Sequence, residues 1–193
     1  MKLSFKMATI ATATLLSFGN LSAQTLATKA AITVTVGGEA MFPMKNIVQN
    51  AVNSKAHTTL VAAVKAAELV DVLQTAGPFT VFAPVNDAFE NLPAGTVETL
   101  LKPENKATLQ KVLTYHVVAG KYDFDALSML IKKGKGTASL KTVSGGTLMV
   151  MMNGKHNISL KDENGATANI NTYDVYQSNG VIHSIDAVVL PKM

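Results

Sequence analysis

The side chains able to act in nucleophilic chemistry lie mainly near the end of the sequence. Ser184 stands next to His183, and Asp186 follows two residues later. A serine hydrolase needs a hydroxyl, an imidazole and a carboxylate that converge in one cleft, whereas adjacent residues of a strand point to opposite faces. The chain also has no Gly-x-Ser-x-Gly elbow. We therefore predict that this trio is not catalytic and that the protein is not an enzyme.

Metal and nucleotide chemistry have equally little support. The histidines are far apart, and no two of them are spaced by two or four residues as chelating pairs are; they are His57, His116, His156 and His183. The segment 162–165 has the composition of a calcium loop but not its register, and we predict a charged hairpin turn there. No glycine pattern matches a phosphate-binding loop. We expect no metal and no cofactor.

Composition excludes further classes of function. The chain has 193 residues, of which 48% are apolar and 16% are charged, and this suits one globular domain. All 17 basic residues are lysine, so no guanidinium is available to bind phosphate or guanine in the bidentate manner. We therefore expect no nucleic-acid partner. The absence of cysteine excludes disulfides and a lipoprotein anchor.

The N-terminal segment is typical of a secretory signal peptide. Lys2 and Lys6 precede an uncharged apolar stretch at 7–18, and Ala23 offers a small residue at the cut before Gln24. We predict a signal peptide at 1–23, a linker or loosely attached strand at 24–45 and a single domain at 46–191. The protein is then secreted or periplasmic, with no transmembrane segment in the mature chain.

Apolar spacing divides the domain into a helical part and a strand-rich part. We predict helices at 46–52, after Thr58 or Thr59, and at 104–116, where Leu109, Val112, Leu113 and His116 share one face. Residues 79–84 form a short buried strand, after which Asn86 or Asp87 starts a helical turn. Asn-Gly and Gly-Gly turns separate later strands at 147–152, 156–160, 166–171 and 181–190. This order indicates an α+β fold.

Three blocks of the chain resemble the fasciclin-type domain of secreted bacterial proteins. They are the stretch Gly-Pro-Phe-Thr-Val-Phe-Ala-Pro-Val-Asn-Asp-Ala-Phe at 77–89, the pair Tyr115-His116, and Asn-Gly-Val-Ile-His-Ser-Ile-Asp at 179–186. The resemblance implies a β-wedge or sandwich with several short helices along it, and a role in adhesion or matrix contact rather than catalysis. We expect a structural role for the motif positions Thr80, Phe82, Pro84, Asn86, Asp87, Phe89, Gly180, His183 and Asp186.

We expect Tyr115 and His116 to form a buried polar pair. An unpaired imidazole on an apolar helix face would be costly, so His116 should bond to Asp87 or to a backbone group nearby. Asp87 could also cap the following helical turn. The cluster of Lys132, Lys133 and Lys135 is predicted to be a solvated loop.

The resemblance also suggests a contact surface. In animal members, an Asp-Ile pair before the last block and the Tyr-His region are linked to adhesion. The matching residues here are Asp174 and Val175, with Tyr173 where the family has proline, and Tyr115 and His116 for the Tyr-His pair. Exposed tyrosines suit interfaces, so we predict a contact surface from Tyr173 to Tyr176.

Two functions remain open at this point. The first is a secreted non-enzymatic domain that contacts a cell-surface or matrix protein or glycan. The alternative is an extracytoplasmic carrier for a small apolar or glycan ligand, held between the helices and the sheet. A large apolar cavity with convergent polar groups would favour the carrier, and a flat surface that bears tyrosines would favour adhesion.

Overall fold

The computed structural model describes residues 33–192, so the predicted signal peptide and its cut after Ala23 lie outside the described residues. Strands β1 (Val34–Val36) and β2 (Glu39–Met41) form an antiparallel hairpin. Its turn uses Gly37 and Gly38, both at positive φ. Val36 and Met41 are buried in the core. The described part of the segment 24–45 therefore includes a hairpin packed on the domain, rather than a free linker.

Three short helices follow the hairpin. They are α1 (Ile47–Ala51), α2 (Thr58–Ala66) and α3 (Val70–Gln74), with a 3₁₀ turn at Lys55–His57. Asn46 caps α1 in a capping box with Gln49. Neither threonine caps α2, because Thr58 already has helical dihedral angles and a capping residue must be extended. Asn86 supplies the cap instead: its Oδ1 accepts the Thr59 N–H at 3.1 Å.

The middle of the chain contains the first strand predicted from the sequence and the helix that carries Tyr115. Its elements are β3 (Phe79–Pro84), α4 (Asn86–Glu90), α5 (Thr96–Leu100), α6 (Lys106–Tyr115) and β4 (Val117–Ala119). Leu109, Val112 and Leu113 are buried on α6 as the spacing predicted. Pro84 ends β3 as predicted.

Helix α7 (Phe124–Lys133) was not predicted. Asp123 caps the helix, with Oδ1 accepting the Ala126 N–H at 3.0 Å. Leu127 and Ile131 are the buried residues of the helix. Lys132 and Lys133 therefore end a helix, where cations favour the negative end of the helix dipole. The prediction of a solvated loop was wrong for these two residues. The helix is followed by β5 (Thr137–Lys141), which was also missed.

The last third forms a strand meander. Its strands are β6 (Thr147–Asn153), β7 (Asn157–Lys161), β8 (Thr167–Gln177) and β9 (Gly180–Ile185). The strand predicted at 181–190 ends at Ile185, and the one predicted at 166–171 continues to Gln177. The α+β class is confirmed.

Strands β3 to β9 build one sheet in the order β4-β3-β9-β8-β7-β6-β5, with β3 and β9 parallel. An isolated bridge between Val118 and Thr142 joins the two ends of this order, and the Val143 N–H donates to the Val117 carbonyl at 2.8 Å. The sheet is therefore nearly a closed barrel. One core fills its interior, and a second lies between the sheet and α1 to α3. Within residues 33–192, every helix is too short or too polar to cross a membrane.

Candidate binding cavity and the buried histidines

The residues predicted as an exposed contact surface lie inside the sheet. Strand β8 runs between β7 and β9, and Val175 and Tyr176 are only 2% and 6% exposed. The pairing of β8 with β9 shifts between Thr172 and Val175, and Asp174 has a positive φ of 57°. This bulge interrupts the in–out alternation of side chains. The predicted exposure was wrong for Val175 and Tyr176, whereas Tyr173 and Asp174 are half-buried. A role of the segment in binding stays a prediction.

Two side chains of this bulge hold the start of α7. Asp174 Oδ1 accepts the Phe124 N–H at 2.7 Å. The Tyr176 hydroxyl donates to Asp123 Oδ2 at 3.0 Å. A carboxylate at a helix N-terminus satisfies an N–H group that has no partner within the helix. Both residues therefore join α7 to the sheet.

Tyr115 and Tyr173 use their hydroxyls inside the protein. Tyr115 donates to the Thr147 carbonyl at 2.7 Å and accepts the Glu163 N–H at 3.2 Å. Burial, together with the negative charge of Glu163, raises the pKa of Tyr115 to about 12. The Tyr173 hydroxyl accepts the Ile158 N–H at 2.7 Å. Each phenol thus connects two parts of the strand meander.

His116 is buried, and both of its ring nitrogens are bonded to backbone groups. Nε2 accepts the Val189 N–H at 3.2 Å, so Nδ1 carries the proton and donates it to the Val112 carbonyl at 2.8 Å. The predicted backbone partner is confirmed. Of the two predicted partners the backbone group is the one found, whereas Asp87 is exposed on α4. The predicted cap by the Asp87 side chain was wrong, because α4 has no side-chain cap bond. Burial lowers the pKa of His116 to about 4, so the imidazole is neutral.

His183 links β9 to the bulge and to the loop before α7. Its Nδ1 accepts the Asp174 N–H at 3.3 Å, and its Nε2–H donates to the Tyr122 carbonyl at 2.8 Å. The ring stacks on Phe82 with 5.7 Å between centroids. Burial lowers the pKa of His183. Like His116, it is a neutral cross-link between backbone segments.

Thr80 and Gly180 fix the register around β3. The Thr80 hydroxyl donates to the Gly120 carbonyl at 2.7 Å and accepts the Tyr122 N–H at 2.9 Å. A Cβ on Gly180 would lie 2.1 Å from the Phe79 carbonyl oxygen. Only glycine allows this approach of the two strands.

Three other motif residues connect neighbouring segments of the fold. Asp186 accepts from both the backbone and the side chain of Asn169, at 2.7 and 2.9 Å. Phe89 packs on the apolar core from α4. The Asn86 side chain, besides capping α2, donates to the Lys55 carbonyl at 2.9 Å.

His57, for which the sequence pattern predicted no role, stands at the centre of a buried polar group. Its Nδ1 lies 2.9 Å from the Ser54 hydroxyl, and its Nε2 lies 3.3 Å from the Ser184 hydroxyl. Ser184 therefore meets His57 and not its neighbour His183, as strand alternation requires. Burial lowers the pKa of His57, against a smaller opposing effect of the Ala83 carbonyl.

Ser184, His57 and Ser54 follow one another like the hydroxyl, the imidazole and the third residue of a serine hydrolase, but the third residue is not a carboxylate. The position of the usual carboxylate is taken by Ser54, whose hydroxyl donates to the Val36 carbonyl at 3.4 Å. A serine cannot stabilise an imidazolium as an aspartate does. Within residues 33–192, no three histidine or carboxylate side chains converge in a way that could hold a metal ion.

An apolar cavity of about 200 Å³ lies between α1 to α3 and the face of β3 and β9. Its walls are almost entirely aliphatic. His57 and Ser184 belong to its buried lining, whereas Val52, Val72 and Val143 belong to the lining and are about half exposed. These three valines therefore mark its mouth. Lys65 on α2 also lines the cavity and is exposed.

Two large apolar side chains are exposed in the segment between β2 and α1. Phe42 is 45% and Met44 is 92% exposed, and Lys45 Nζ lies 5.0 Å from the centre of the Phe42 ring. Asn50 of α1 bonds to both the N–H and the carbonyl of Phe42, at 3.0 and 2.8 Å. We call Phe42, Met44, Val52 and Val72 the apolar face.

The chain is similar in sequence to a family of known proteins. The family model of the Fasciclin domain matches residues 55–191. Protein sll1483 of Synechocystis sp. is 47% identical over 148 residues, which cover 76% of this chain and 74% of that protein. Immunogenic protein MPB70 of Mycobacterium bovis is 34% identical over 144 residues, covering 72% of this chain and 65% of that protein.

More distant similarities extend to animals. Transforming growth factor-beta-induced protein ig-h3 of Sus scrofa is 32% identical over 150 residues, covering 77% of this chain but only 20% of that protein. The structure of a FAS1 domain pair from the insect cell adhesion molecule Fasciclin I superposes with a TM-score of 0.67 at 18% identity, covering 77% of this chain and 52% of that one. This last likeness shows the fold. The resemblance inferred from the sequence is confirmed.

Proposed function

This chain belongs to the fasciclin domain family, and we propose that it is an extracytoplasmic, non-enzymatic interaction domain that contacts a cell-surface or matrix protein. Proteins of this family are adhesion and extracellular domains, and the family is generally non-enzymatic. Our proposal goes beyond the family in naming a protein as the partner and in naming the surface that contacts it. The observation that carries the proposal is the apolar face.

The apolar face suits a protein partner. Exposed apolar residues that lie together on a soluble domain mark contact sites, and phenylalanine and methionine are enriched in protein interfaces. Met44 is 92% exposed, so almost its whole side chain is available to a partner. A glycan would bring hydroxyl groups that this surface cannot pair. The face therefore favours protein over glycan.

The helices under the apolar face are held in place by one side chain. Asn179 Oδ1 accepts the Ile47 N–H of α1 at 3.0 Å. Its Nδ2 donates to the Leu73 and Thr75 carbonyls, at the end of α3, at 2.9 and 3.0 Å. A surface fixed in this way loses little conformational entropy on binding. This rigidity supports a docking role.

The buried histidines support a non-enzymatic role. His116 and His183 each contact backbone groups at both ring nitrogens. A general base must have a nitrogen within reach of a substrate proton. These rings are instead used to join segments of the backbone.

Binding to cells tests the proposal. The purified protein carrying Phe42→Ser and Met44→Ser should be retained on intact cells or on isolated envelope at least tenfold less than wild type. The matched control is Met129→Ser, which removes an exposed methionine (66% exposed) from α7, and it should bind like wild type. Equal retention of all three proteins would contradict the role of the apolar face, and binding on a glycan array would contradict a protein partner.

The proposal also requires that the protein is exported from the cytoplasm. If residues 1–23 are a signal peptide, cells that express the full chain should place the protein outside the cytoplasm. The intact mass of the exported protein should then correspond to a chain that begins at Gln24. A protein that stays in the cytoplasm with its first residues intact would contradict this.

A further inference from the structure

We propose that the apolar cavity binds one anionic amphiphile of the fatty-acid class. Its alkyl chain would lie among α1 to α3, and its carboxylate would remain at the mouth beside Lys65. This inference is independent of the partner proposed for the apolar face.

The lining selects a hydrocarbon. Its walls are aliphatic, and the buried polar groups among them are already bonded to each other or to backbone: His57 contacts Ser54 and Ser184, and Thr114 donates to the Gln110 carbonyl at 2.6 Å. A sugar placed here would bury hydroxyls without partners, at a cost of about 1–3 kcal/mol each. Of the two carrier ligands predicted from the sequence, the cavity therefore favours the apolar one.

The volume of the cavity limits the length of the ligand's alkyl chain. An apolar cavity of about 150 Å³ stays dry and holds benzene, which has six carbons. By proportion, a cavity of about 200 Å³ holds about eight carbons. A chain of eight to ten carbons would then fill the cavity and reach the mouth at Val52, Val72 and Val143.

The charge at the mouth selects the head group. Lys65 is the charged residue among the described lining residues, and it is exposed on α2. A lysine can lay its methylene chain along apolar walls while its ammonium group stays in water. That ammonium group is placed to meet a carboxylate at the open end. The buried histidines at the other end are neutral and offer no second charge.

Calorimetric titration with a series of fatty acids measures the fit. Butanoate, hexanoate, octanoate, decanoate and dodecanoate are added to the purified protein at pH 7.5, each below its micelle-forming concentration. Affinity should rise about fourfold per methylene up to eight to ten carbons, because each buried methylene is worth about 0.8 kcal/mol. It should then level off as the chain leaves the cavity. Absence of binding, or affinity that ignores chain length, would overturn the proposal.

Variants on one helix locate the site. Val64 lines the cavity and Ala62 is exposed on the same helix. Val64→Phe should fill the cavity and weaken octanoate binding at least tenfold, while Ala62→Phe should leave it unchanged. If both variants bind like wild type, the ligand lies elsewhere and the proposal fails.

Lys65→Glu tests the head group and cannot disturb the core, because the residue is exposed. It should weaken octanoate binding about fivefold, as expected for an exposed ion pair, and leave binding of the neutral octan-1-ol unchanged. The matched control is Lys102→Glu, an exposed lysine that does not line the cavity. This experiment and the chain-length series also decide the question if Val64→Phe does not fold. An equal loss for octanoate and octanol, or no loss for either, would overturn the placement of the carboxylate.

Discussion

His116 should make the stability of the domain depend on pH between about 6.5 and 4. A proton added at Nε2 would break the bond from the Val189 N–H and place a charge in the core. Burial lowers the pKa of His116 from 6.5 to about 4 in the folded state. Folding therefore keeps the ring neutral, and stability is lost as the pH falls from the unfolded pKa through the folded one. At about 1.4 kcal/mol per pH unit, the full loss is on the order of 3 kcal/mol.

Urea unfolding at pH 7.5 and pH 4.5 measures the total loss, to which the lowered pKa values of His57 and His183 also contribute. His116→Gln keeps an amide that can bond but cannot titrate, so its stability should fall about 2–3 kcal/mol less than that of wild type over this interval. His156→Gln, in an exposed turn, should lose as much as wild type. Each protein is compared with itself, so a constant cost of the substitution cancels. Equal losses in all three proteins would refute the reasoning.

Two further substitutions test contacts that cross the fold, both by denaturant unfolding at neutral pH. Asn86→Ala removes the cap that this residue of α4 provides to α2, and it should lower the free energy of unfolding by about 1–2 kcal/mol. Asn91, exposed at the end of α4, gives the control Asn91→Ala, which should lower it little. Similar losses in the two variants would mean that the cap is unimportant. Gly180→Ala should cost about 3 kcal/mol, because its Cβ would press on the Phe79 carbonyl and backbone cannot yield easily. Gly154→Ala has open space and should cost only about 1 kcal/mol through its positive φ, so a larger loss at this turn than at Gly180 would contradict the argument.

The predictions from the sequence succeeded where local spacing determines the structure. The spacing of apolar residues along α6 predicted that Leu109, Val112 and Leu113 are buried, and that His116 needs a polar partner, either Asp87 or a backbone group. The strand at 79–84 was found from its short β-prone run. Such patterns are local, so one sequence is enough to reveal them.

One element was missed although its pattern was present. Asp123 precedes α7, Leu127 and Ile131 are four residues apart, and Lys132 and Lys133 close the helix. An acidic cap at the start and cations at the end are the usual marks of a helix. The lysines were interpreted as an isolated cluster, and their place in this pattern was overlooked.

The errors at the candidate sites have a different cause. The family resemblance predicted exposed tyrosines at 173–176, but a bulge at Asp174 and the central position of β8 bury Tyr176. A pocket between the helices and the sheet was one of the predicted alternatives, but its buried polar group could not be predicted, because His57 and Ser184 are 127 residues apart in the chain. A backbone irregularity and a long-range contact leave little trace in local spacing.

The bridge between Val118 and Thr142 has a consequence for how molecules of this kind can assemble. In the sheet of the described residues, this bridge and the bond from the Val143 N–H to the Val117 carbonyl occupy backbone groups at the two ends of the strand order, so a second molecule finds less unpaired main chain to extend there. Association through side chains on the outside is then favoured. An interface made in that way can be strengthened, weakened or redirected by single substitutions while the barrel beneath it stays the same.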